Sequence, residues 1–350
     1  MKKNFSWRVL FNILVVIFTL FMIGYFCFSN GGLIDLLQSH EQINPLWLCV
    51  AILVHLTNIF LDMMLIYIFI KDSAPHFKFR QAFKVSMVGQ FFCAVTPSST
   101  GGQPMQIAVL SSMKVPIGQA TSALIQKFLV WQFVLMGYSI FAVATKFSLI
   151  TESMGSGVLL LTIVGFSVQC VMCAALILAS FAHKFTSKLV GGLFKFLSKI
   201  HIIKNPEERK ANLDKQLETF YNCNRSLYKN KKLIFQTVIL TFVQMTVIYL
   251  VPYFVGLALN SEMDAPALDM VCVQAFVNMV SSLMPLPGAS GAAELCFAAF
   301  FSGYFSETTL KSAVLIWRTI TYYGTIFISA PFSGMSRKKK VEQQAENIPQ

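Results

Sequence analysis

The stretch Val95-Thr96-Pro97-Ser98-Ser99-Thr100-Gly101-Gly102-Gln103-Pro104 interrupts a region otherwise apolar enough for a membrane, and it cannot be helical. Pro97 removes a backbone donor and pushes Thr96 toward extended backbone. Gly101 and Gly102 let the chain turn, and Pro104 suits the first position of a new helix. Non-helical backbone at membrane depth survives only where protein or a water-filled cavity shields it. Two readings follow: a tight loop between two membrane helices, or a ligand site at the tip of a re-entrant hairpin.

With 55% hydrophobic and 13% charged residues over 350 positions, the chain is too apolar for an ordinary soluble domain. Several uninterrupted runs of about 20 residues have the length of transmembrane helices. The net charge of +12 sits in a few inter-helix segments, the pattern that orients a membrane protein. No nucleic-acid motif accompanies it, so nucleic acid is not an expected partner. All cysteines but Cys223 fall in apolar runs. A disulfide framework is therefore not expected, and Cys170 and Cys173, with no second pair nearby, read as packing residues. No metal or cofactor is expected.

In chain order, Lys2, Lys3 and Arg8 precede an apolar run over 9–28. That run is long for a signal peptide and lacks a small-residue cleavage motif, which predicts a retained first span starting in the cytoplasm. A second span, 45–70, carries His55, Asn58 and Asp62 on one helix face. Lys71, Lys78, Arg80 and Lys84 mark the return to the cytoplasm. Residues 85–95 would cover only about 16 Å, half a bilayer. The break and a short return over 105–113 follow, predicting a hairpin that enters and leaves from the cytoplasm. The third span, 117–145, holds Gln126 and Lys127, with Lys127 about 15 Å inside it; the fourth is 156–181.

The segment 182–232 has twelve Lys and Arg against four Asp and Glu. Phe185, Leu189, Leu193, Phe196, Leu197 and Ile200 recur at helical spacing with lysines between them, which fits a helix on an anionic membrane face, or else topology alone. A second cytoplasmic helix opens at Pro206-Glu207-Glu208. The fifth span, 233–259, is interrupted at Pro252. A short piece over 270–284, about 22 Å, leads to Pro285-Leu286-Pro287-Gly288-Ala289-Ser290-Gly291 and then to 292–301, a second hairpin that enters from outside. The sixth span, 310–332, carries Arg318, and Arg337-Lys338-Lys339-Lys340 ends in the cytoplasm.

The expected fold is an all-α polytopic membrane protein with about six full transmembrane helices and two re-entrant half-helix hairpins. It forms one membrane domain over 1–335 with a cytoplasmic tail over 336–350 and both termini inside. Residues 45–145 and 233–333 run in the same order from opposite sides. A shift of 190 positions lays Pro97 on Pro287, Thr100 on Ser290, Gly101 on Gly291 and Pro104 on Glu294, with Lys127 one residue short of Arg318. Inverted repeats with broken helices at mid-bilayer are characteristic of secondary transporters.

At each break the N-terminus of the returning half-helix favours an anion. Thr96, Ser98, Ser99, Thr100, Gly101, Gly102 and Gln103 in the first hairpin, and Ser290 and Gly291 in the second, offer donors and close backbone approach. Lys127 and Arg318 are cations at depth, costly unless paired or hydrated. Together these predict a site for a phosphate, with a lipid phosphate the natural candidate. The alternative for each cation is an ion pair, Lys127 with Asp62 and Arg318 with Glu294. Glu294 either caps its half-helix, faces a cationic headgroup or takes a proton during turnover. Arg318, Tyr322 and Thr325 share a face, as do Gln274, Asn278 and Ser281. These stripes line a polar path or make interhelical hydrogen bonds.

The motifs Thr96-Pro97-Ser98-Ser99-Thr100-Gly101-Gly102-Gln103-Pro104 and Pro285 to Glu294 resemble those of the lysylphosphatidylglycerol synthase transmembrane (flippase-like) family. That family includes the membrane half of the bacterial multiple peptide resistance factor. The resemblance spans nearly the whole chain. It implies a bacterial plasma-membrane protein that handles anionic or aminoacylated phosphatidylglycerol-type lipids, its membrane half similar to a flippase. In two-part members a separate cytosolic domain transfers a lysyl group from lysyl-tRNA to the lipid, an activity linked to resistance to cationic antimicrobial peptides. The segment 182–232 is too small for such a domain. The expectation is therefore that this chain does not act as a phosphatidylglycerol lysyltransferase by itself. The implied partners are membrane phospholipids and, as a second candidate, a separate lipid-modifying enzyme.

Overall fold

The computed structural model describes residues 43–148, 155–181, 206–259, 266–282, 284 and 286–333. The predicted first span, the amphipathic stretch over 185–200 and the basic tail lie outside the described residues. Every regular element described is helical, and the protein is an all-α polytopic membrane protein.

α1 (Pro45–Ser73) starts on the Asn44 side chain, which accepts from the Leu46 amide, with Pro45 at its first position. α2 (Phe79–Val95) and α3 (Gly102–Ser112) are the limbs of the first hairpin, and α4 (Ile117–Ser148) follows. α5 (Gly155–Phe181) and α6 (Pro206–Lys229) lead to α7 (Lys231–Tyr249) and α8 (Val251–Ala258). These two meet at Leu250, as Pro252 requires. α9 (Ala267–Ser281) and α10 (Ala292–Phe301) are the limbs of the second hairpin. α11 (Glu307–Arg318), a π-helical turn over Thr319–Tyr323 and α12 (Gly324–Ser333) form one continuous run. Among the described residues, Pro45–Ser73, Ile117–Thr145 and Lys231–Ala258 are long and apolar enough to cross a membrane.

Two boundaries differ from the sequence expectation. α2 begins at Phe79 and not at 85, so the inward limb is 17 residues, about 25 Å, and not half a bilayer. The cations Arg80 and Lys84 are tolerated inside it because they lie in its first turns, close to the polar boundary. α3 starts at Gly102, which places Pro104 at the third helical position, where the missing N–H still costs no intrahelical bond.

The halves pack crosswise. α2 of the first hairpin lies against α12, the end of the second half, and α9 of the second hairpin lies against α4, the end of the first. The 190-residue shift maps one contact onto the other. The described residues form two hydrophobic cores. One gathers Leu65, Ile66, Phe69, Val85, Phe91, Leu110 and Leu135 around the first hairpin. The other gathers Phe276, Phe297, Phe300, Phe301 and Trp317 around the second. The π-helical turn sits at their junction, with Ile320 in the second core and Tyr322 in the first. α6 docks on α4 through a buried hydrogen bond from Gln126 to Asn224.

Candidate functional site

The two breaks fold into the same turn. In the first, Ser98 and Ser99 have φ of 49° and 55°; in the second, Gly288 and Ala289 have φ of 58° and 50°. The Ser99 and Thr100 amides donate to the Thr96 and Pro97 carbonyls, and the Ala289 and Ser290 amides donate to those of Leu286 and Pro287. The Thr100 hydroxyl donates to the Pro97 carbonyl and the Ser290 hydroxyl to that of Pro287, each at 2.9 Å. Two consecutive left-handed residues closed by a hydrogen bond across them make a type I′ turn. Three of the four central residues are not glycine, so both turns hold backbone strain of order 1 kcal/mol per residue.

The tips touch. Pro97 and Pro287 form an isolated antiparallel bridge. Neither proline has an N–H, so they face each other as a non-hydrogen-bonded pair, the closer of the two antiparallel spacings. A second link ties the halves beside it: the Tyr322 hydroxyl donates to the Ala94 carbonyl at 3.0 Å. Gly288 is required under that ring, since a Cβ there would lie 2.0 Å from Tyr322 Cε2. A third link joins His55 Nε2 and the Thr325 hydroxyl at 3.0 Å.

The second tip adjoins a shielded ion pair, and another lies along the inward limb of the first hairpin. Lys127 on α4 pairs with Asp62 on α1, whose other oxygen accepts from the Ser86 hydroxyl at 2.5 Å and lies 3.5 Å from Gln90 Nε2. Arg318 Nε pairs with Glu294 Oε1 at 2.7 Å, and Arg318 Nη2 donates to the Gly288 carbonyl at 2.9 Å. The guanidinium also lies over the Trp317 and Tyr322 rings. The second oxygen of Glu294 accepts the Gly291 amide at 2.7 Å. In the first hairpin the equivalent Gly101 amide is met by the Thr96 hydroxyl oxygen at 2.9 Å. One orphan N–H is thus satisfied by two different side chains. Thr96→Val should cost about 1 kcal/mol of stability, read as a lowered thermal midpoint in detergent, whereas Glu294→Gln keeps an acceptor for Gly291.

Several predicted donors are already committed. Thr96 donates to the Phe92 carbonyl, and Thr100 and Ser290 close their own turns. Ser98 and Ser99 are exposed at the first tip. Gly102 is buried against Cys93, and Gln103 is half-buried. Asn278 donates to the Tyr249 hydroxyl at 3.1 Å. Sequence reasoning missed Ser86, Gln90, Trp317 and Gly288. Ser86 and Gln90 stand four apart on α2, a shared face that marks them as partners for Asp62.

Two broken-helix tips in contact, inside an all-α polytopic fold, define a helical membrane protein whose halves meet at their breaks. The chain belongs to the lysylphosphatidylglycerol synthase TM region family, whose model matches residues 9–329. It is similar to a UPF0104 membrane protein of Archaeoglobus fulgidus, 25% identical over 265 residues, which cover 72% of this chain and 75% of that protein.

Proposed function

We propose that the protein is a phospholipid translocator, flippase-like, for anionic or aminoacylated phosphatidylglycerol-type lipids. In this reading it crosses the plasma membrane of a bacterium several times with both termini cytoplasmic. The headgroup occupies the paired tips among Thr96–Gln103, Lys127, Ser290, Gly291, Glu294 and Arg318, while the tails stay in the bilayer. Asp62, Asn278 and Tyr322 support that site. The observation that supports the reading is the contact between Pro97 and Pro287, where two broken helices meet with the Arg318 cation bonded to the second of them. Crosswise packing suits alternating access: each hairpin leans on a helix of the other half, so rocking of the halves would part the tips.

The test is reconstitution into liposomes with acyl-labelled phosphatidylglycerol and lysylphosphatidylglycerol. Label in the inner leaflet becomes accessible to a membrane-impermeant quencher in the presence of a translocator. Unchanged accessibility with monodisperse, correctly inserted protein rejects the reading. A second reading, a subunit of aminoacyl-lipid synthesis, is favoured by the family's description as the membrane region of a synthase. Formation of aminoacyl lipid from charged lysyl-tRNA and phosphatidylglycerol by the purified chain supports it.

A further inference from the structure

The two ion pairs share a wiring that specifies the charge of what they bind. In each, the carboxylate is split between a neutral protein donor and a cation. Asp62 gives one oxygen to the Ser86 hydroxyl and the other to Lys127. Glu294 gives one oxygen to the Gly291 amide and the other to Arg318. When the cation lets go, the carboxylate stays aimed. Arg318 likewise keeps the Gly288 carbonyl and its two flanking rings without Glu294. The second pair can therefore open without collapsing and present one fixed positive and one fixed negative group. In the first pair Asp62 stays fixed on Ser86 while the flexible Lys127 swings free.

A phosphate that takes Lys127 or Arg318 frees Asp62 or Glu294. A shielded carboxylate without a counter-ion is strongly unfavourable. A ligand that carries only an anion creates that situation; one that also carries an ammonium removes it. The two ion pairs hold two cations and two carboxylates, which sum to zero, so a net-neutral ligand leaves no residual charge. A net-negative or net-positive headgroup does.

We infer that the paired tips take a net-neutral headgroup carrying one phosphodiester and one primary ammonium, the phosphate at Lys127 or Arg318 and the ammonium at Asp62 or Glu294. This rests on the translocator reading above and goes beyond its lipid class: it selects headgroups with a single amine, phosphatidylethanolamine among them, over those with two, and it disfavours unmodified phosphatidylglycerol.

The experiment uses the full chain in liposomes with acyl-labelled phosphatidylethanolamine, phosphatidylglycerol and lysylphosphatidylglycerol, compared one at a time. The same protein is equilibrated with an equimolar mixture of the three and examined by native mass spectrometry for the lipid it retains. Phosphatidylethanolamine is expected to move, and to be retained, about tenfold better than the other two. Equal or better handling of phosphatidylglycerol or lysylphosphatidylglycerol overturns the inference. If nothing moves but retention still favours phosphatidylethanolamine, the headgroup inference stands and the translocator reading falls. Asp62→Asn leaves Lys127 uncompensated and should shift retention toward phosphatidylglycerol by about tenfold. Should that variant fail to fold, Glu294→Gln, which keeps an acceptor for the Gly291 amide, makes the same test at Arg318. An unchanged preference in a folded variant contradicts the assignment. Glycerophosphoethanolamine, the headgroup without tails, separates the sources. Weak competition at millimolar concentration assigns the site to lipid, and full competition assigns the same chemistry to a soluble phosphodiester.

Discussion

Arg318→Ala is expected to destabilise the protein by about 3–5 kcal/mol and to abolish lipid movement. Arg318 is 5% exposed, and its guanidinium holds three things together: Glu294 at 2.7 Å, the Gly288 carbonyl at 2.9 Å, and the faces of Trp317 and Tyr322. Its removal leaves the Glu294 carboxylate facing a gap with the Gly291 amide as its remaining partner. The cost is mostly that of an unpaired charge, so it should be recoverable. Arg318→Met with Glu294→Gln removes both charges, keeps the volume and keeps the cap on Gly291. That double variant should regain most of the thermal midpoint and still move no lipid, because the phosphate-binding cation is gone. A single variant with wild-type stability would mean that the pair is open in the membrane. A double variant with wild-type transport would mean that the pair only holds the fold.

Gly288→Val is the second large effect. The residue has φ of 58°, and a Cβ there would sit 2.0 Å from the Tyr322 ring. The left-handed backbone costs a β-branched residue about 1–2 kcal/mol, and overpacking about 1–3 more. The ring must also give up its bond to the Ala94 carbonyl, one of the links between the two halves. Expression as folded protein is expected to fall sharply. Adding Tyr322→Ala should restore the overpacking part and leave the backbone part. If Tyr322→Ala rescues nothing, the ring is not what Gly288 accommodates.

How far the sequence carried these conclusions follows from what kind of interaction each one is. The breaks were legible because proline and glycine act locally: Pro97 with Gly101, and Pro287 with Gly291, dictate a turn whatever surrounds them. Lys127 and Arg318 stood out because charge within an apolar run is rare, and Asp62 and Glu294 because carboxylates at depth are rarer still. Which carboxylate each cation takes is a long-range outcome, 65 residues apart for Lys127 and 24 for Arg318, and periodicity alone left pairing and ligand binding open. The hydroxyls were the opposite case. Thr100 and Ser290 bond carbonyls three residues back, a local habit of Ser and Thr in turns that competes with any ligand. The extension of α2 back to Phe79 was hidden by Arg80 and Lys84, which read as loop but lie at a helix start. The π-helical turn over Thr319–Tyr323 has no proline or glycine within it to announce it.

The central claim is that the two hairpin tips meet, and crosslinking tests it most directly. Pro97→Cys with Pro287→Cys replaces a non-hydrogen-bonded antiparallel pair, whose Cα atoms are about 4.5 Å apart, within the range a disulfide spans. In membranes, mild oxidation should link the double variant nearly completely and leave both single variants unlinked. The bond should stop lipid movement until a reductant is added. A double variant that stays unlinked while folded and inserted, or that links and transports at the wild-type rate, contradicts the account.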